Sequence, residues 1–145
     1  MKLKKLFMVI PGLALVILVL IGCGNRQPEP IKINVDNCDH CKMTVADLKF
    51  ATELITDKGR VYKFDDIKCM VQYKKDNNLQ NADFFVPDHN NPANLLKAEQ
   101  AIYVKGDSVR TPMNGYIATF SKQDEASVYA SQTSAAIITW EEVIE

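Results

Sequence analysis

Apolar and polar positions alternate along 50–56 and 61–64, which is the pattern of strands with one face buried. The turn residues 57–60 separate the two segments, and Gly59 can adopt a positive φ there. The pattern therefore predicts a β-hairpin. A weaker alternation over 31–35 predicts an edge strand before it.

A helix is predicted directly after the hairpin, over 66–75. Ile67 and Met70 recur at the i, i+3 spacing of one helix face. The Asp65-Asp66 pair precedes them and provides an N-cap, since an Asp side chain accepts a hydrogen bond from an exposed backbone N–H.

The same order of elements is predicted again in the C-terminal half. After a strand at 82–86 and a polar loop at 87–96, the pattern predicts strands at 101–104 and 116–120, a helix with Ser121 and Asp124 as a capping box, and a last strand at 136–140. This order indicates a duplicated β-β-α-β unit. We therefore predict one compact α+β domain over 36–145, built from tandem units at 36–86 and 99–145.

The N-terminal 22 residues have the pattern of an export signal. Three lysines precede an apolar run over 6–21, which is shorter than a typical membrane span and ends in Leu-Ile-Gly-Cys. That ending resembles a lipobox, which implies removal of residues 1–22 and lipidation of Cys23. An uncleaved anchor helix is the alternative, and both interpretations place the domain outside the cytoplasm.

Residues 23–35 are then expected to form the lipidated cysteine and a linker. Pro28 and Pro30 favour an extended tether that lets the domain stand off the membrane. We expect the protein in the cell envelope, facing the periplasm or the extracytoplasmic space.

The charge of the chain argues against nucleic acid as a partner. The net charge is −1, and after removal of the signal segment the chain has 14 basic and 18 acidic residues, a net −4. No basic excess exists to neutralise phosphates.

The stretch 38–43, Cys-Asp-His-Cys-Lys-Met, concentrates two thiols, an imidazole and a thioether. Thiolates and thioethers are soft ligands that suit Cu(I). Met is not among the usual zinc ligands, so Met43 favours copper over zinc. Cys38 and Cys41 are the leading candidate ligands, followed by Met43, and His40 is a further candidate.

Sulfur occurs at other positions as well. Cys69 and Met70 lie on the predicted helix and are further candidate ligands, although core packing also explains them. Met113 lies in a turn-rich polar loop, where packing explains a thioether less well, so we treat it as a candidate ligand. His89 is expected to be a solvated loop residue.

Two other functions stay open on these residues. A thiol–disulfide oxidoreductase could use Cys38 and Cys41, although such enzymes place the first Cys at a helix N-terminus. A structural zinc site could use Cys38, Cys41, His40 and Cys69. No nucleophile–base pattern is present, so we do not expect an enzyme.

Five motifs resemble those of the NosL family. They are Cys-x-x-Cys-x-Met at 38–43, Phe-Asp-Asp-Ile-Lys-Cys-Met at 64–70, Ala-Ile-Tyr-Val at 101–104, Thr-Pro-Met at 111–113, and the C-terminal Trp140. The resemblance covers nearly all of the chain after the signal segment. It implies a fold of two β-β-α-β units and a lipid-anchored periplasmic Cu(I)-binding accessory.

The resemblance also implies a pathway. Family members are associated with the maturation of nitrous oxide reductase and supply copper for its copper–sulfur cluster, so the implied partners are that reductase or its membrane copper-assembly machinery. This chain differs from the family pattern at three positions, where Lys42, Lys68 and Asn114 replace the usual glycines. These differences bear on loop shape and leave the sulfur donors in place.

Overall fold

The computed structural model describes residues 26–145. The predicted signal peptide at 1–22 and the predicted lipidation site Cys23 lie outside the described residues. No helix in the described range is long and apolar enough to cross a membrane.

The first half of the domain is an antiparallel sheet with one helix. Its elements are β1 (Thr52–Thr56), β2 (Val61–Phe64), helix α1 (Ile67–Asp76), β3 (Ala82–Asp88) and β4 (Asn91–Lys97), followed by a 3-10 turn at Ala98–Gln100. The strand order is β2-β1-β3-β4. Gly59, with φ of 79°, lies in the turn between β1 and β2, as predicted.

The second half repeats this plan with a smaller sheet. Its elements are β5 (Ile102–Lys105), β6 (Ile117–Phe120), α2 (Gln123–Thr133), β7 (Ala136–Ile138) and the short helix α3 (Trp140–Ile144). The strand order is β6-β5-β7.

The two sheets share one topology, which confirms the predicted pair of β-β-α-β units. In each unit the first strand is central, the second strand pairs with one side of it, and the strand after the helix pairs with the other side. All of these pairings are antiparallel. Strand β4 is an addition to the first unit.

A shared core joins the two units. Leu54 and Phe64 of the first unit and Tyr103 and Trp140 of the second are buried in one cluster. The Trp140 ring lies 5.7 Å from that of Tyr103 and 5.5 Å from that of Phe84, centroid to centroid. Since burial of such rings dominates core energetics, the two units stabilise each other.

The predicted edge strand at 31–35 is wrong, because this segment folds into turns. The backbone N–H of Asp36 donates to the Lys32 carbonyl (2.9 Å), and the Asp36 carboxylate accepts from the Lys32 N–H (2.8 Å). Asn34 has a φ of 59°. Local Asx bonding of this kind competes with a strand ladder.

The predicted polar loop at 87–96 is also wrong. Strand β3 continues through Pro87, and 91–97 returns beside it as β4, with a register shift at Pro87/Asp88. Proline is tolerated there because β1 pairs only with the part of β3 that ends at Phe85, so no ladder N–H is required of Pro87 on that side.

One predicted helix cap and one strand end differ from the structure. Helix α2 begins after Lys122 without a side-chain cap, and the Ser121 hydroxyl instead donates to the Asp88 carboxylate (2.5 Å). The last strand stops at Ile138, and Thr139 begins α3 through a capping box with Glu142. The polar side chain at 121 therefore links the two units rather than capping a helix.

His89 does not lie in solvent as predicted. Its ring contacts those of Phe50, Phe120 and Tyr129, with centroid distances of 5.7, 5.3 and 5.0 Å. Burial lowers the pKa of His89, so this apolar setting favours the neutral ring.

The predicted tether does not stand away from the domain over 26–30. Arg26 Nε contacts the Asp83 carboxylate at 2.5 Å, and the Glu29 N–H donates to the Glu53 carboxylate at 3.0 Å. Lys63 Nζ donates to the Pro30 carbonyl at 3.2 Å. These contacts hold the segment against the first sheet.

Glu53 makes the stability of this sheet depend on pH. The residue is fully buried, and burial raises the pKa of its carboxyl to about 7 from the usual 4.5. Between these values the folded protein keeps a proton that the unfolded chain loses, so the free energy of unfolding falls as pH rises. Glu53→Gln should therefore stabilise the protein by about 1–3 kcal/mol at pH 8, with no gain at pH 4.

Urea unfolding of both proteins at the two pH values measures this difference. A gain of equal size at pH 4 and pH 8 would show that the carboxyl does not titrate in this range.

Candidate metal centre

Three thiols and one carboxylate converge at the end of the first hairpin. The Sγ atoms of Cys38, Cys41 and Cys69 and a carboxylate oxygen of Asp65 all lie within 4.8 Å of one another. Cys38, Cys69 and Asp65 are buried, whereas Cys41 is only half-buried. The cluster is therefore open to solvent on the side of Cys41.

The loop at 38–43 is closed on itself, which presents its two cysteines together. The Cys38 N–H donates to the Met43 carbonyl (2.8 Å), and the Lys42 N–H donates to the Cys38 carbonyl (2.9 Å). Two further bonds of 2.8 Å join Asp39 to the backbone of Lys63 on β2. The loop is thus fixed against the end of the hairpin.

Helix α1 supplies the third thiol. Strand β2 ends at Phe64, Asp65 follows it, and Asp66 caps the helix by accepting from the Lys68 N–H at 2.9 Å. Cys69 lies in the first turn of this helix, close to Asp65. The short connection between strand and helix therefore places the carboxylate and the thiol on the same side.

Asp66 also fixes the loop that carries Met113. Its Oδ2 accepts from the Thr111 hydroxyl (2.7 Å), the Met113 N–H (2.9 Å) and the Gly115 N–H (3.3 Å). Met113 is half-buried and packs against the core cluster that includes Cys38 and Cys69. A residue of the second unit is thereby held against the core of the first unit, which includes two of the cysteines.

The pKa values of the three thiols differ because the thiols are buried and hydrogen-bond to one another. A hydrogen bond from Cys69 is the main cause that lowers the pKa of Cys38 to about 6. Burial is the main cause that raises the pKa of Cys41 to about 11, and hydrogen bonding to Cys38 raises the pKa of Cys69. This arrangement favours the thiolate form of Cys38 and the protonated forms of Cys41 and Cys69, whose protons a bound cation would displace.

The other predicted site residues have three different environments. Met43 is 56% exposed, and Met70 is fully buried in the core, as the helix pattern predicts. The His40 Nδ1 lies 3.7 Å from the Asp76 carboxylate at the far end of α1, and His40 is not part of the cluster. The cluster therefore draws on both cysteine motifs but not on the histidine between the first two cysteines.

Asp65 is the member of the cluster that sequence reasoning missed. The Asp65-Asp66 pair was interpreted only as a helix cap, yet a cap uses one carboxylate. The second carboxylate, four residues before Cys69, is the signal that could have identified it. In the structure the Asp65 Oδ1 lies 3.5 Å from the Cys41 Sγ, which donates to it.

A small α+β domain of two β-β-α-β units, with three thiols and a carboxylate at one point, has the features of a cysteine-based metal-binding protein. The family model of NosL matches residues 30–145. The chain belongs to the NosL family.

Two relatives show how far the similarity extends. The chain is 25% identical over 139 residues to a protein of Stutzerimonas stutzeri named copper-binding lipoprotein NosL, and the match covers 86% of this chain and 73% of the relative. The fold of this chain is similar to that of the copper chaperone NosL from Shewanella denitrificans, which is known from a crystal structure. That match has a TM-score of 0.71 at 21% identity and covers 82% of this chain and 96% of the other.

At two of the three positions where the family resemblance leads us to expect glycine, the backbone has a positive φ. Lys42 has a φ of 66° and Asn114 a φ of 54°. Glycine adopts such angles without steric cost, whereas Asn tolerates them and Lys is strained. Lys68 has a different role, since its Nζ donates to the Met113 carbonyl at 3.2 Å.

Proposed function

We propose that the chain binds one Cu(I) ion as cargo at this cluster and passes it to another protein. The observation that carries the proposal is the convergence of three thiols and one carboxylate within 4.8 Å. The names of the two relatives, a copper-binding lipoprotein and a copper chaperone, support it.

The donors suit a monovalent soft ion. Thiolate ligands select Cu(I) over hard cations. Cys38 and Cys69 would hold the ion from the buried side, and half-buried Cys41 would be the ligand that an incoming donor displaces. Met43 is exposed and Met113 is half-buried, and their thioethers would need no deprotonation to bind.

The proposed pathway lies outside the cytoplasm. Lipidation of Cys23 would anchor the protein to a membrane of the cell envelope, with the domain facing the periplasm or extracytoplasmic space. The proposed recipient is nitrous oxide reductase or its membrane copper-assembly machinery. The chain would act as a carrier without catalysing a reaction.

Zinc binding is the second candidate, and Asp65 favours it. Zinc accepts thiolates and carboxylates in tetrahedral sites, so three cysteines and an aspartate form a suitable set. This set differs from the predicted one, because His40 pairs with Asp76 instead. An oxidoreductase has less support, since Cys38 and Cys41 lie in a turn and not at a helix N-terminus.

Deletion of the gene from a host that produces nitrous oxide reductase tests the proposed delivery of copper to that enzyme. We expect nitrous oxide reductase purified from copper-limited deletion cells to lack copper in its catalytic cluster. The intact gene should restore the metal, and a copy with Cys38→Ser and Cys41→Ser should not. A fully loaded reductase from the deletion strain would refute delivery to this recipient.

A further inference from the structure

A groove of about 330 Å³ lies next to the metal centre, between helix α1 and the second unit. Its apolar lining includes Val71 of α1, Ile117 of β6 and Val143 of α3. Three lysines line the same groove: Lys68, Lys75 and Lys105. The surface therefore combines an apolar floor with a positively charged rim.

These lysines have no carboxylate side-chain partner in the described part of the chain. Lys68 Nζ donates to the Met113 carbonyl (3.2 Å), and Lys75 Nζ donates to a main-chain oxygen of Glu145, the last residue of the sequence (2.5 Å). Lys105 is exposed, and neither Lys68 nor Lys105 takes part in an ion pair among residues 26–145. The charges of Lys68 and Lys105 are thus not balanced by a carboxylate, and an acidic partner competes with the main-chain oxygen of Glu145 for Lys75.

The local charge is opposite to that of the whole domain. Residues 26–145 contain 14 basic and 18 acidic residues, so an acidic protein is repelled by the domain as a whole. A groove with three lysines gives such a protein one favourable place to dock. Complementary charge of this kind sets orientation and association rate more than affinity.

The groove is also connected to the metal centre. Asn114 and Gly115 form part of its lining, and Asp66 fixes their loop through the Gly115 N–H at 3.3 Å. Lys68 holds the same loop at the Met113 carbonyl. A carboxylate that draws Lys68 away removes one of the contacts that fix the Met113 loop.

We propose that this groove docks an acidic segment with an apolar side chain, carried by the protein that exchanges copper with this chain. The inference rests on the proposed function. The carboxylates of the segment meet Lys68, Lys75 and Lys105, and its apolar side chain fills the floor. Docking then orients the partner toward the open side of the metal centre and loosens the Met113 loop.

The test uses the full lipidated chain in detergent micelles, labelled with ¹⁵N. The probe is a blocked pentapeptide, Asp-Glu-Leu-Glu-Asp, and its counterpart has lysine at the four acidic positions. We expect saturable amide shifts at 111–117 with the acidic peptide only, and weaker binding at higher salt. The double variant Lys75→Glu, Lys105→Glu should weaken binding by about tenfold or more.

The double variant Lys49→Glu, Lys58→Glu is the matched control, because it also reverses two exposed charges and both residues lie outside the groove. The proposal is overturned if both peptides bind alike, if the control weakens binding as much as the groove variant, or if no shifts occur at 111–117. A dimer that dissociates in the groove variant would assign the surface to a second copy and would also overturn it.

Copper affinity separates this inference from the proposed function. The groove variant should keep the Cu(I) affinity of the unaltered chain, since none of the four cluster residues changes. If the unaltered chain fails to bind Cu(I) but still binds the acidic peptide through these lysines, the proposed function fails and the docking surface stands.

Discussion

Replacement of Cys38 and Cys41 together by serine is expected to abolish tight Cu(I) binding while the domain remains folded. Two of the three thiols in the cluster are lost, and a serine hydroxyl offers no soft anionic donor. Loss of even an outer-shell partner weakens metal binding about 10–100-fold, so removal of two direct donors should exceed a hundredfold.

Anaerobic competition with a chromophoric Cu(I) chelator measures this affinity. Met70→Leu is the matched control, since Met70 is fully buried in the core and leucine has a similar volume. We expect the control to bind copper as the unaltered chain does. Unchanged affinity in the double serine variant would show that the cluster is not the copper site.

Asp66→Ala is expected to have the largest effect on stability, about 3–5 kcal/mol. The carboxylate caps α1 and accepts from three donors of the Met113 loop, the Thr111 hydroxyl and the N–H groups of Met113 and Gly115. Because Asp66 is only 1% exposed, water does not readily replace these bonds. The two units should lose their connection at the metal centre.

Chemical unfolding of the variant measures the change. Asp124→Ala is a suitable control, because Asp124 is exposed in the first turn of α2 and its carboxylate accepts a hydrogen bond from the adjacent Glu125 N–H. It should cost less than about 1 kcal/mol. If Asp66→Ala is no more destabilised than the control, the hydrogen bonds between Asp66 and the Met113 loop contribute little to folding.

Local patterns were sufficient to predict most of the fold. The β1–β2 hairpin, α1 and the repeated order of elements depend on periodicity and turn residues within short segments, and these signals survive in a single sequence. Strand β4 could not be predicted in this way. Pro92 in β4 and Pro87 in β3 both indicate a loop, and the antiparallel pairing of the two strands overrides that preference.

The candidate site was predicted less completely. Spacing alone made Cys38 and Cys41 candidate ligands, but only the fold shows that Cys69, which is part of the buried core, also lies beside them. Asp65 was not predicted as a site residue, because the Asp65-Asp66 pair was explained by helix capping alone. His40 fits a metal site by sequence position, yet adjacent side chains in a turn diverge, and its imidazole faces Asp76.

We propose that the four-residue cluster selects Cu(I), and native mass spectrometry of the reduced full-length chain tests this after anaerobic exposure to equal amounts of Cu(I) and Zn(II). We expect one retained copper ion per chain, and none in the variant with Cys38→Ser and Cys41→Ser. If the chain retains zinc, or no metal at all, the cluster is not a Cu(I) site.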